Sequence, residues 1–438
     1  MRFRTMLVSI LVMALSFSGC ATDDATEVIV EEQDIERLAR DIHERAITID
    51  THDDIPFDFA TPEVDPGVRG DRKVDLPKMR EGGLDVAFFV VYVGQEERTP
   101  ENSARAYEMA MTKFEAIHRM TDEMYPDQIE FAYSADDVER IVGEGKLVAT
   151  IGMENGWPVG DDLGNLSTFH ELGARYITLA HGGHNQIADS STPRASLGDA
   201  EEEHGGISDF GAEVIAEMNR LGIMVDVSHI SKKAMLEAAQ LSVAPVIASH
   251  SGVRALSDVA RNMDDEQLLA LKDSGGVIQL VALGAFVKQT PERDEATAEL
   301  MQEMGLPGSR AMFTAMADAQ GEELEELQRQ WAEFQTRVKA EIDPVHPAPD
   351  VSDFVDHIDY AVNLIGIDHV AISSDFDGGG GVNGWNDASE TFNVTLELVK
   401  RGYSEEDILQ IWGGNTLRIW RQAEAVAARL QQIEAGEQ

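Results

Sequence analysis

Eight short runs rich in Val, Ile and Phe punctuate this chain, at 46–50, 85–93, 148–153, 176–180, 223–227, 246–249, 277–281 and 370–374. Longer segments separate them, and at 103–120, 209–220 and 232–240 apolar residues recur at three and four spacing, the period of an amphipathic helix. Strand-length runs alternating with helices mark βα units, because parallel strands need a crossover to carry the chain back. Eight such units close a barrel, so the expected fold class is α/β, a (β/α)8 TIM-type barrel.

The spacing before the eighth run is too long for one crossover helix. Residues 284–350 therefore read as a helical insertion before the last strand, with the Glu- and Gln-rich part, 321–342, as a long exposed helix and the proline-rich 344–349 as its terminator. Inserts on the rim of a barrel serve as lids or partner surfaces, or simply as solvated helices.

With 438 residues, 43% of them hydrophobic, the chain can bury one large core as a single domain. Its 80 acidic against 35 basic side chains leave a net charge of −45, which repels a phosphate backbone and argues against nucleic acid as a partner. So much acid reads first as a well-solvated surface, and second as adaptation to salt, which screens the self-repulsion. The single cysteine, Cys20, excludes an intrachain disulfide.

Cys20 stands at the end of an export signal: Arg2 and Arg4, an apolar run over 6–17 too short to span a bilayer, then small residues. Phe17-Ser18-Gly19-Cys20 resembles a bacterial lipoprotein processing box, with Phe17 in place of the usual Leu. The organisation expected is a lipoprotein-type signal peptide over 1–19, an acidic tether over 20–33, one barrel domain over 34–425 and a tail over 426–438. The protein is expected to be exported and held at the cell envelope, touching membrane only through a lipid on Cys20. A homodimer is expected by analogy with other barrels of this kind.

The informative residues are those at the C-terminal ends of the runs, the face on which barrels carry their chemistry. Run one ends in Asp50-Thr51-His52-Asp53-Asp54, run three in Glu154-Asn155-Gly156, run four in His181, run five in Ser228-His229, run six in Ser249-His250 and run eight in Asp375-Phe376-Asp377-Gly378. His52 and Asp54 are two apart, so in extended chain they point to the same side and can share an ion. His229 and His250 end neighbouring strands and can hold a second ion, with Glu154 placed to bridge the two. Two metals held close would share a water, lower its pKa and make it a nucleophile at neutral pH.

Asp375 ends the strand beside strand one and is the candidate base. Asp377 competes with it, although a turn-forming role before the glycines suits Asp377 better. His181 can donate to a developing oxyanion, with His184 as its alternative further out in the loop. Arg261, on the rim, can take a carboxylate bidentately or form a surface salt bridge.

This constellation resembles the membrane (renal) dipeptidase family within the amidohydrolase-type barrels. The matching stretches run from Asp50-Thr51-His52-Asp53-Asp54-Ile55-Pro56 through Gly152-Met153-Glu154, Tyr176-Ile177-Thr178-Leu179-Ala180-His181, Asp226-Val227-Ser228-His229, Ser249-His250-Ser251 and Arg261-Asn262 to Ser374-Asp375-Phe376-Asp377-Gly378. The resemblance implies two Zn2+ per chain, the first on His52 and Asp54, the second on His229 and His250, with Glu154 bridging. It implies that His181 contacts the scissile carbonyl or tetrahedral oxygen, Arg261 takes the substrate's C-terminal carboxylate and Asp375 handles the proton. The expected function is a zinc-dependent dipeptidase that cleaves dipeptides through a metal-bridging hydroxide and accepts a C-terminal D-residue.

Two departures stand out. Asn155-Gly156 replaces the paired glycines of the mammalian enzymes, and the insertion before strand eight is longer. The alternatives are another amidohydrolase-type metal hydrolase, acting on an N-acyl amino acid or a lactone, and a non-catalytic lipoprotein that binds metal or peptide.

Overall fold

Nine strands form one all-parallel sheet in the computed structural model, which describes residues 33–318 and 322–436. They are β1 (Ile49–Asp54), β2 (Val86–Tyr92), β3 (Ile129–Phe131), β4 (Leu147–Glu154), β5 (Ala174–Thr178), β6 (Met224–Asp226), β7 (Ile247–Ser251), β8 (Val277–Val281) and β9 (Val370–Ser373). The order is β1-β2-β4-β5-β6-β7-β8-β9, and the ring closes where Asp54 N–H donates to Phe376 C=O at 2.9 Å. This is the eight-stranded barrel expected from the eight apolar runs. The export signal, Cys20 and nearly all of the tether lie outside the described residues.

β3 is the strand that periodicity could not show, because three residues carry no period. It pairs with β4 over Leu147–Ala149, while β5 pairs with β4 higher up, from Ile151 to Met153. β3 thus fills the gap at the bottom of the barrel wall.

Alternation along the strands divides the core. Val86 and Phe88 point inward with Ile49, Val148, Met224, Ile247 and Val277, and the C-terminal helix Asn415–Glu434 contributes Trp420 to this cluster. Ala87, Phe89 and Val91 point outward, against the surrounding helices such as Pro100–His118. The boundary drawn at 425 falls inside the C-terminal helix: Ala427 is buried, and residues 426–434 continue the helix instead of forming a tail.

The insertion also differs from its expectation. It contains helices Pro291–Glu303, Ser309–Asp318 and Glu322–Arg337, the last continued by a wide turn, Val338–Ile342. Phe334, Val338 and Ile342 bury themselves against Leu300 and Met301, a small core separate from that of the barrel. The long helix is therefore exposed on one side only; its sparse apolar residues were masked in the sequence by the surrounding Glu and Gln.

Candidate metal centre

β1 runs further than its apolar residues suggest. His52, Asp53 and Asp54 lie within the strand, because pairing with β2 continues through Asp54 after a register shift between Asp50 and Asp53. That irregularity lets both parities turn into the barrel. Asp50 accepts from Ser374 N–H at 2.9 Å, while His52 Nε2 stands 3.6 Å from Asp54 Oδ2.

Glu154, the last residue of β4, occupies the centre. Its Oε2 lies 3.6 Å from His52 Nε2, and its Oε1 lies 2.9 Å from His229 Nε2 and 3.4 Å from both His250 Nε2 and His181 Nε2. The two oxygens thus face two sets of donors. Three overlapping groups have their ligand atoms within 4.8 Å of one another: His52, Glu154 and His250; Glu154, His181 and His229; His52, Asp54 and Asp375. His250 stands between the two sides, its ring centroid 3.8 Å from that of His52 and its Nε2 2.7 Å from His229 Nε2.

Buried partners behind the rings decide which nitrogen faces the pocket. Tyr176 Oη donates to Thr51 C=O at 2.8 Å, so its contact of 2.9 Å with His52 Nδ1 is one it accepts. Ser249 Oγ likewise donates to Asp226 at 2.7 Å and accepts from His250 Nδ1 at 2.9 Å. His250 then presents a bare Nε2, while His52 turns its Nε2, buried without a hydrogen-bond partner, toward the carboxylates of Asp54 and Glu154. The Tyr176 ring crosses the barrel under the site, where a Cβ on Gly152 would lie 2.0 Å from its Cζ.

The electrostatics are those of a site built for cations. Burial raises the Asp54 carboxyl to about 6, with Glu154 adding to the rise, and burial raises Asp375 well above the carboxylate range. Burial holds His229 and His250 well below the usual imidazole value, so both are neutral donors. Burial would also lower His52, but Glu154, Asp54 and Asp375 together lift it to about 9. A buried imidazole nitrogen without a partner and clustered carboxylates, with no sulfur ligand among them, fit a divalent metal ion.

Asp375 and Asp377 adopt left-handed backbone, with φ of 59° and 63°, as do His229 at 66° and Asn155 at 76°. Such backbone in non-glycine residues concentrates at functional sites. A Cβ on Gly378 would lie 2.2 Å from Asp54 Oδ2 and 2.3 Å from Asp375 Oδ1, so glycine there lets the loop pass close over both carboxylates.

Asp377 does not cap its own turn. It accepts from Lys73 N–H at 3.0 Å and pairs with Arg72 at 3.3 Å, pinning the loop after β1. His184 is structural, held by Ala200 C=O at 3.0 Å and Ser190 N–H at 3.0 Å.

Arg261 is 7% exposed, which removes the surface salt bridge as its role. Its guanidinium lies 5.4 Å from the Phe286 ring centroid and donates to His250 C=O at 2.9 Å, its Nε has no partner, and no carboxylate pairs with it among the described residues. Burial lowers it only to about 10, so it stays charged at neutral pH. Tyr92, Leu283 and Phe286 complete a cavity of about 410 Å³ with Asp54, Glu154, His181, His229, His250 and Asp375. Sequence reasoning missed these three and the supports Tyr176, Ser249 and Asp226. Of these, Tyr92 and Ser249, at the ends of their apolar runs, carried a positional signal.

Comparison with known proteins agrees with this architecture. Residues 36–434 match the family model of membrane dipeptidase, peptidase family M19. Dipeptidase tcpJ of Claviceps purpurea is 32% identical over 360 residues, covering 81% of this chain and 70% of the relative. Dipeptidase aclJ of Aspergillus oryzae is 32% identical over 364 residues, covering 82% and 72%. Among solved structures, the probable dipeptidase PvdM of Pseudomonas aeruginosa superposes with a TM-score of 0.76 at 34% identity, over 90% of this chain and all (100%) of that one. Barrel, strand-end cluster and relatives agree: the chain belongs to the membrane dipeptidase family, peptidase family M19, and is a metallo-dipeptidase.

Proposed function

We propose that the protein hydrolyses dipeptides at a two-zinc centre, with His52 and Asp54 on one ion, His229 and His250 on the other and Glu154 between them. The observation that carries the substrate assignment is Arg261, a buried guanidinium without a carboxylate partner beside the cluster. An unpaired buried charge is costly, so a site that keeps one is built for an anion brought by the ligand. When bound, the ions supply Lewis acidity and a water acidic enough to attack at neutral pH.

The chain's own groups do the rest. Arg261 takes the free carboxylate of the C-terminal residue and so sets the scissile carbonyl over Glu154 and the histidines. His181, kept neutral because burial lowers it to about 4, donates an N–H to the oxygen that becomes tetrahedral. Asp375 accepts the proton of the attacking water and returns it to the leaving amine, which departs as the C–N bond breaks. With carboxylate and carbonyl held at two ends, D and L forms of the C-terminal residue differ only in which wall the side chain meets. Acceptance of the D form is supported by family resemblance.

The test is a panel of Ala-Ala, L-Ala-D-Ala, Ala-Ala amide and N-acetyl-alanine with zinc-reconstituted protein. Turnover of the free dipeptides, collapse on the amide and poor turnover of N-acetyl-alanine are expected. Equal rates on Ala-Ala and its amide would refute the role of Arg261, and preference for N-acetyl-alanine would replace the dipeptide reading.

A further inference from the structure

A second cavity, of about 900 Å³, opens between the insertion and the barrel rim. Leu283 lines both it and the metal pocket, and Gly379 lines it beside Gly378 of that pocket. The dividing wall is the loop after β8. Asn262 Nδ2 donates to Phe286 C=O at 2.8 Å and Ser257 Oγ to Ala285 C=O at 3.2 Å, tying this wall to the loop that carries Arg261. Val259, two residues before Arg261, lines the chamber itself.

The chamber's charge runs against that of the chain. Lys288, Arg293 and Lys339 line it against Asp294 and Asp343, whereas the whole protein has 80 acidic and 35 basic residues. Arg293 is neutralised by Asp343 at 2.5 Å, and Asp294 lies in the first turn of helix Pro291–Glu303, where the helix dipole offsets it. Lys288 pairs with Asp353 at 2.7 Å, a residue that does not line the chamber. Lys339 is exposed and has no carboxylate partner among the described residues.

We propose that this chamber receives the side chain of the substrate's C-terminal residue and favours a long one that ends in a carboxylate. The inference rests on the dipeptidase reading, which puts that residue's α-carboxylate on Arg261, two residues along the chain from Val259 of the chamber's lining. The insertion, with Lys339 on its wide turn, is then a specificity element, and the barrel alone holds the reacting groups.

The test measures kcat/KM of the zinc-loaded full chain for Ala-Ala, Ala-Glu, Ala-Gln and Ala-Lys, in the native protein and in Lys339→Glu, Lys339→Gln and Lys288→Glu. Native protein is expected to prefer Ala-Glu over Ala-Lys by about tenfold, as one well-placed charge contact worth about 1.4 kcal/mol gives. Lys339→Glu should abolish or reverse that ratio, Lys339→Gln should lower it, and Ala-Gln should respond least. A ratio that both charge reversals leave unmoved, while Ala-Ala is hydrolysed, overturns the chamber assignment and leaves the dipeptidase reading intact. So does an equal loss on all four substrates, which is what damage to the fold produces. Failure of the native protein to cleave any of the four overturns both.

Discussion

Replacing Tyr176 by Phe removes one hydroxyl at the floor of the metal pocket, and the structure says what is lost. The ring stays, since it is fully buried among Phe88, Val148 and Trp420. Two contacts go, the 2.8 Å bond to Thr51 C=O and the 2.9 Å contact with His52 Nδ1. Each orphaned buried group costs about 1–3 kcal/mol, so the metal-free variant, with two of them, should be about 2–6 kcal/mol less stable. The second consequence is specific to the metal. Without the hydroxyl, His52 is free to carry its proton on Nε2, facing Asp54 and Glu154, where it blocks the ligand atom. Loss of such an orienting partner lowers metal affinity by about 10- to 100-fold, equivalent to about 1.4–2.7 kcal/mol. Competition against a chromophoric chelator measures the affinity, and urea unfolding with and without zinc measures both terms separately. A variant that loses stability yet binds zinc as tightly as the native protein would refute the reasoning, since Tyr176 would then support only the fold.

Other expectations follow from the same geometry. Arg261→Ala should lower kcat/KM for Ala-Ala by about 10- to 100-fold, the value of a charge-assisted hydrogen bond of about 1.5–3 kcal/mol, mostly in KM. Asp375→Asn should lower kcat by about 10²- to 10⁴-fold, the usual contribution of a positioned proton-transfer group, with zinc content by elemental analysis little changed. Asp85 carries no ligand role; burial raises its carboxyl from 3.8 to about 6, so its protonated form is favoured in the fold. The stability it lends is present below about pH 4 and is lost as pH rises through about 6, so relative to Asp85→Asn the native protein should weaken across that window by up to about 3 kcal/mol, at 1.36 kcal/mol per pKa unit. Urea unfolding of the metal-free proteins from pH 4 to 7 checks the sign. For the export segment, the proposal of lipid attachment predicts that Cys20→Ser moves the protein from the membrane fraction to the soluble fraction; unchanged fractionation would end it.

Much of the site was legible because barrel strands deliver their polar residues to one face. His52, Asp54, Glu154, His181, His229, His250 and Asp375 each follow or end an apolar run, and the structure brings all seven into one cluster. What escaped did so for local reasons. β3 is three residues long and leaves no pattern. The register shift in β1 is a backbone event with no distinctive residue type, yet it allows Ile49 and His52, of opposite parity, both to reach the interior. Tyr176 has the pattern of any strand residue, since nothing in sequence says that its hydroxyl crosses the barrel to a histidine 124 positions away.

The barrel, its polar face and the residues that cluster there could all be read from the chain alone. These follow from short-range patterning: apolar alternation, strand length and polar residues at strand ends. Visible only in three dimensions are the two faces that Glu154 turns to its neighbours, the burial of Arg261 without a carboxylate partner among the described residues, and the second chamber that the insertion walls beside the first. Those facts depend on contacts between residues far apart in the chain, whose distances are set by barrel closure and not by any local preference.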